Sequence, residues 1–279
     1  MGNIDLSKVK VLITDGDSWT AGDIVDPELF ADEPWHVNHP DNRPYRLPKV
    51  WPHKLAGKLN LECFNISIAG SSNDGIVRRT MNSIDDMLTR YKPEEILYIV
   101  GWSSPERKDF FYEDGTNKHW ETMYPGEIES YKGYTDKLHS FYKQYVLSFW
   151  NAEEFITRYI QQTILIKSFL KSLGVQYLFF DAFYESKETV LSKDHSLKSA
   201  KNLYSTISDK FNNQGKLRAL ELNNTIKHFH NIVKESYIET SFIDFILKKE
   251  KELDKEIITY HPSEEGHELW AEYLYNVIK

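Results

Sequence analysis

The sequence predicts an α/β fold in which helices cover both faces of a parallel sheet. Four short runs carry the prediction: Val9–Thr14, Leu61–Ser67, Ile96–Gly101 and Gln176–Asp181 are near-continuously apolar rather than alternating. A strand buried on both faces requires that pattern. Helical patterns separate the runs; Pro48–Leu59 and Asp74–Tyr91 read as crossovers, and Asn151–Leu173 as a longer helix ended by Gly174. Such alternation builds right-handed βαβ units. Ligands bind such sheets in the crevice outside the carboxyl ends of the strands. Asp15–Ser18, Gly70–Asn73 and Trp102–Arg107 all follow strands and are expected to converge there.

The remaining elements follow in order. At 279 residues, a single domain spanning 1–279 is expected, because no linker or composition break divides the chain. Residues 105–150 interrupt the βα rhythm and are crowded with aromatics, from Phe110, Phe111 and Tyr112 through Trp120 and Tyr124 to Phe149 and Trp150. No clear strand is legible there. The segment reads as a lid or substrate-wall insertion at a strand's carboxyl end, or equally as a helical hairpin packed on the domain. Residues 183–256 are rich in lysine and glutamate, with helical patterns at Lys193–Lys210 and Leu220–Lys234 and a solvated charged face at Lys248–Lys255. Ser263 reads as the N-cap of a last helix, in which Gly266 and Ala271 permit close packing.

Composition bounds the function classes. The net charge of −8 argues against nucleic acid or an anionic membrane as partner, since both need a basic face. No run approaches the apolar length of a membrane span. The start, Met-Gly-Asn-Ile-Asp, lacks the charged and apolar blocks of a signal peptide. A cytoplasmic or virion-associated protein is expected, without a cofactor. The single cysteine, Cys63, lies in an apolar run and reads as a buried structural thiol.

Three stretches carry chemistry. Val11–Asp23 reads V-L-I-T-D-G-D-S-W-T-A-G-D, a strand running into a sharp turn with Asp15, Asp17 and Ser18. Ile68-Ala69-Gly70-Ser71-Ser72-Asn73 is a small-residue turn opening a helix, where a glycine N–H can approach a ligand closely; an ordinary capped turn has the same composition. His261-Pro262-Ser263 places a histidine just before the last helix, while His267, inside that helix, reads as structural. The opening stretch also fits Asp-x-Asp-x-x-Thr (Asp15, Asp17, Thr20), the start of haloacid-dehalogenase-like phosphatases. There Asp15 would be the nucleophile, Asp17 the acid/base and Mg²⁺ the counter-charge. That reading leaves His261 without a role.

Together Asp15-Gly16-Asp17-Ser18, Asn65-x-Ser-x-x-Gly70 and His261-Pro262-Ser-x-x-Gly266-His267 resemble blocks I, II and V of the SGNH (GDSL-type) hydrolases. Gly70-Ser71-Ser72-Asn73 with Gly101-Trp102-Ser103-Ser104-Pro105-Glu106-Arg107 looks like a phage and bacterial branch of that superfamily. The resemblance implies a flavodoxin-like three-layer α/β/α sandwich and hydrolysis of an ester, in a lipid, an acylated sugar or another small molecule. It implies Ser18 as nucleophile, His261 as general base, and the N–H groups of Ser18 and Gly70 as oxyanion donors. Two positions depart from the family pattern. Ser103 stands where the third oxyanion donor, an asparagine, is expected, so Ser103, Asn73 or Arg107 would have to serve. Thr259 and Ile258 occupy the positions expected for the acid that orients the histidine, which leaves Asp254, Glu256 or Asp181 as candidates, or a dyad. Asp17 is expected to shape the turn. The missing asparagine and acid also suit a non-catalytic carbohydrate-binding or structural module.

Overall fold

The computed structural model describes residues 4–30, 34–113, 115, 118–125, 135–149, 152–182, 233–238, 240–258 and 260–279. Among the described residues the strands are β1 (Val11–Asp15), β2 (Glu62–Asn65), β3 (Ile96–Trp102), β4 (Lys108–Glu113), β5 (Lys118–Met123) and β6 (Gln176–Asp181). The helices are α1 (Ser18–Ala21), α2 (Pro27–Phe30), α3 (Arg43–Arg46), α4 (Trp51–Leu59), α5 (Asn73–Leu88), α6 (Asp136–Ser148), α7 (Ala152–Leu173), α8 (Phe242–Leu253) and α9 (Glu264–Ile278). Among the described residues no helix is long and apolar enough to cross a membrane.

The central sheet is parallel in the order β2-β1-β3-β6. Tyr237 adds a parallel bridge to Phe179 on β6. Side chains alternate along β1 between two separate cores, as the two-residue strand period requires. Leu12 joins Leu55 of α4, Phe242 of α8 and Trp270 of α9 on one face. Val11 and Ile13 join Ile76 of α5 and Ile166 of α7 on the other. The result is a three-layer α/β/α sandwich. Each layer boundary is apolar enough that truncating a fully buried residue such as Leu97 is expected to cost ~2–5 kcal/mol.

The expectation that residues 105–150 hold no strand needs correction. β4 and β5 form an antiparallel hairpin pairing Phe110 with Glu121, Phe111 with Trp120 and Tyr112 with His119. Phe110 packs edge-on against Phe141 of α6, and Met123, Leu138 and Tyr142 complete a small third core. The aromatic crowding hid a two-residue alternation because both faces of the hairpin carry rings. The helical patterns at Lys193–Lys210 and Leu220–Lys234 lie almost wholly outside the described residues. Cys63 is half-buried against the α4–α9 core, and burial pushes its thiol up to about 12.

Candidate active site

The chain leaves β1 at Asp15 and turns at once into α1, whose N-cap Asp17 accepts the Trp19 N–H at 3.0 Å. The cap explains why a one-turn helix forms here: the carboxylate satisfies an amide that the helix cannot. Ser18 is therefore the first helical residue, with a backbone N–H that has no intrahelical acceptor. Its Oγ lies 2.8 Å from His261 Nε2. His261 Nδ1 lies 2.7 Å from Asp23 Oδ2. With Nδ1 donating to the carboxylate, Nε2 presents its lone pair to the Ser18 hydroxyl. Trp19 packs tilted beside the imidazole.

Gly22 makes Asp23 available. It follows α1 at φ +84°, and a Cβ there would stand 2.2 Å from Val50 Cγ1. Only glycine takes that turn without strain. Of the candidates that sequence reasoning offered for this role, Asp254 and Asp181 are placed otherwise. Asp254 is the exposed left-handed cap of α8. Asp181 is buried and accepts from Tyr159 and Tyr237, each at 2.6 Å. Glu256 lines, with Asp23, Val25, Ile258, Tyr260 and His261, an open groove of about 520 Å³ beside the histidine.

The loops after β1, β2 and β3 are cross-braced. Arg79 on α5 bonds the Asp15 carboxylate at 2.7 Å and reaches Gly16 O and Ser71 Oγ, joining the first loop to the second. Asn73 donates to Ser103 O at 3.0 Å and accepts the Ser103 N–H at 2.8 Å, joining the second to the third. Asp17 Oδ2 accepts the Ser103 hydroxyl at 2.7 Å and Arg107 Nη1 at 3.3 Å, joining the third back to the first. Arg107 also reaches Ser71 O. The Ser103 hydroxyl and the Asn73 amide are thus engaged in bracing. Gly70 sits at φ +83°, and its carbonyl accepts the Tyr124 hydroxyl at 2.8 Å.

Both aspartates of the opening turn are fully buried. Desolvation pushes Asp15 up to about 6, against the pull of Arg79. It also raises Asp17, against Arg107 and Ser103. Asp15 additionally accepts the Gly16 N–H and the Thr80 hydroxyl. A buried carboxylate held by an arginine and two further donors has no open face for a phosphate. His267 is fully buried in α9 with its ring edge-on to Phe242.

A second set of contacts comes from residues 37–42. Asn42, fully buried, donates to Ile24 O at 2.9 Å and Val37 O at 3.1 Å, and accepts the Asp26 N–H at 2.9 Å. Asn38 accepts the Ala69 N–H at 3.1 Å and donates to Ala69 O at 3.2 Å. Asp23, Arg79, Asn38 and Asn42 were missed by sequence reasoning. The one local mark is the Ala21-Gly22-Asp23 run, a glycine placed to end a short helix.

No curated protein matches the chain. Among solved structures it is similar to a member of the lipolytic protein G-D-S-L family from Veillonella parvula, at 13% identity and TM-score 0.47 over 96% of this chain and 98% of that one. TesA is similar at 12% identity and TM-score 0.47, over 97% and 98% of the two chains. A psychrotrophic esterase, EstA from a Pseudoalteromonas species, is similar at 11% identity and TM-score 0.44, over 96% of each chain. One family profile matches residues 31–219, more than half of the chain. Asn38, Gly70, Ser103 and Arg107 fall inside that span, and Ser18, Asp23 and His261 outside it. The chain belongs to that family, a family of unknown function (DUF6071).

Proposed function

We propose that the protein is a serine ester hydrolase of SGNH type acting on a small-molecule or glycan ester through an acyl-enzyme. The observation that carries the reading is the hydrogen-bonded series from Ser18 Oγ to His261 Nε2 and from His261 Nδ1 to Asp23 Oδ2. A nucleophile, a base within reach and a third group orienting the base define this chemistry irrespective of fold. His261 Nε2 takes the Ser18 proton as Oγ bonds to the ester carbonyl carbon. The carbonyl oxygen gathers negative charge, for which the N–H groups of Ser18 and Gly70 are the proposed donors. Collapse breaks the bond to the alcohol oxygen, which leaves with the proton from Nε2. Water then repeats the steps on the acyl group, and Asp23 holds the imidazolium in both halves. The phosphatase alternative is disfavoured by the burial of Asp15 and its engagement with Arg79.

A second reading, a non-catalytic carbohydrate-binding or structural module, draws on one observation. The Ser103 hydroxyl and Asn73 amide, two of the candidates for a third oxyanion donor, are bonded to Asp17 and to the Ser103 backbone. Losing such a donor reduces the rate ~10²–10³-fold rather than abolishing it. A fluorophosphonate probe separates the readings. The hydrolase labels at Ser18, and Ser18→Ala loses both labelling and short-chain ester cleavage. A folded protein that neither labels nor cleaves any acyl ester is the binding module.

A further inference from the structure

We infer that residues 37–42 form a strap that sets the acid loop and the oxyanion loop against each other, with Asn42 and Asn38 as its two positioning residues. The inference rests on the hydrolase reading above.

The two arms touch different halves of the site. Asn42 bonds Ile24 O and the Asp26 N–H, so it grips the chain immediately after Asp23. Its side chain is fully buried and makes three hydrogen bonds, so each atom lost strands a backbone group away from water. Asn38 bonds both the N–H and the carbonyl of Ala69, the residue before Gly70. This two-point contact fixes the orientation of the peptide leading into the proposed oxyanion donor. The arms are one unit because Asn42 also donates to Val37 O, next to Asn38. Tyr124 holds Gly70 O from the other side, so the Ala69–Gly70 segment is bonded through both residues. Neither asparagine touches Ser18 or His261 among the contacts of the described residues; both act through the loops they hold.

A catalytic acid and an oxyanion donor must be placed together, because the same transition state uses both. A displacement of about 1 Å far from the chemistry can cost on the order of 10²-fold in rate. No helix or strand carries Asp23 or Gly70, so their loops need an outside reference, and the strap supplies one to both.

The test uses the full chain, with kcat and KM for a short-chain p-nitrophenyl ester and the rate of fluorophosphonate labelling. Asn42→Asp keeps the acceptor for the Asp26 N–H and removes the donor to Ile24 O and Val37 O. It is expected to lower kcat at least about tenfold and leave KM within about twofold. In an Asp23→Asn background Asn42→Asp is expected to cost less than in wild type, leaving only the part that reaches the oxyanion loop through Asn38, since the acid it positions is already disabled. Asn38→Ala, at an exposed position, is expected to lower kcat by a similar factor in both backgrounds, and Asn38→Gln to restore less than the native residue. Equal losses from Asn42→Asp in both backgrounds would show a general packing defect and overturn the inference, as would unchanged kcat in either variant. Hydrogen exchange reads the strap without turnover: Asn42→Asp should speed exchange in residues 23–26 and also at Ala69. Faster exchange confined to 23–26 rejects the coupling. A wild-type protein that neither labels nor turns over defeats the hydrolase reading, and the exchange result then decides the strap alone.

Discussion

Asp23 stands close after Ser18 in sequence but reaches His261 only because Gly22 turns the chain back. Its carboxylate has two tasks in the proposed reaction: it fixes the Nδ1–H tautomer and it stabilises the imidazolium. Asp23→Asn presents an amide to Nδ1 and favours the wrong tautomer. We expect kcat for ester cleavage to fall by roughly 10²–10⁴-fold. The partial exposure of Asp23 favours the smaller figure, because water can solvate the imidazolium in part. An Asp23→Asn protein with unchanged kcat would show the ion pair to be incidental. That Ser18, Gly70 and His261 gather at one end of the sheet is legible in short motifs that each follow a strand or precede a helix. The partner of Nδ1 is not legible, because the family pattern leads one to search just upstream of the histidine. Asp254 and Glu256 lie there in sequence, and a glycine turn on the opposite side of the crevice brings Asp23 instead.

The turn and the hairpin are the elements on which the site depends. Gly22→Ala meets both a positive φ and the Val50 side chain, so we expect a loss of more than ~1 kcal/mol in stability, with a fall in activity as Asp23 is displaced. Chemical denaturation and ester cleavage check the two halves; a variant as stable and active as wild type would refute the account of the turn. The β4–β5 hairpin is hooked to α5 through Asp109, which accepts Arg78, the Ser72 hydroxyl and, at 2.8 Å, the Thr122 hydroxyl. Asp109→Ala removes one acceptor from each of these donors and is expected to cost about 1–3 kcal/mol. Hydrogen exchange should rise in residues 108–123 and hold steady in β1 and β3; protection unchanged in the hairpin would place its anchorage elsewhere. The sheet strands are legible because each is buried on both faces and nearly all apolar. The hairpin is not, because Phe111 and Trp120 are exposed while Phe110 and Met123 face α6, so apolar residues mark both sides. The Asp114-Gly115 dipeptide is a hairpin cue that sequence reading passed over.

At the scale of the whole molecule, buried ionisable groups on both faces of the sheet give stability a pH dependence of two opposed parts. Asp181 is buried between Tyr159 and Tyr237, and desolvation pushes it from 3.8 up to about 7 despite their hydrogen bonds. A raised carboxylate keeps its proton longer folded than unfolded. Its contribution is therefore fully present below 3.8 and is lost as pH rises through about 7. His267 runs the other way. Burial, with Lys54 and His261 nearby, pushes it from 6.5 down to about 3, so its contribution is present above 6.5 and is lost as pH falls toward about 3. Among the described residues neither ring nitrogen of His267 has a hydrogen-bond partner, so an apolar residue of similar volume can take its place. Asp181→Asn keeps an oxygen to accept both tyrosines and removes the titration. Relative to wild type, it is expected to gain stability between about pH 4 and about pH 8, by an amount of order 1–4 kcal/mol. His267→Leu is expected to show the opposite slope, its advantage largest near the acid end and fading above neutrality. Urea denaturation of the three proteins across that range yields two difference curves. Curves of opposite slope are the expected outcome, and a flat Asp181→Asn curve would mean that the buried carboxylate is ionised throughout and that the tyrosines, not desolvation, govern it.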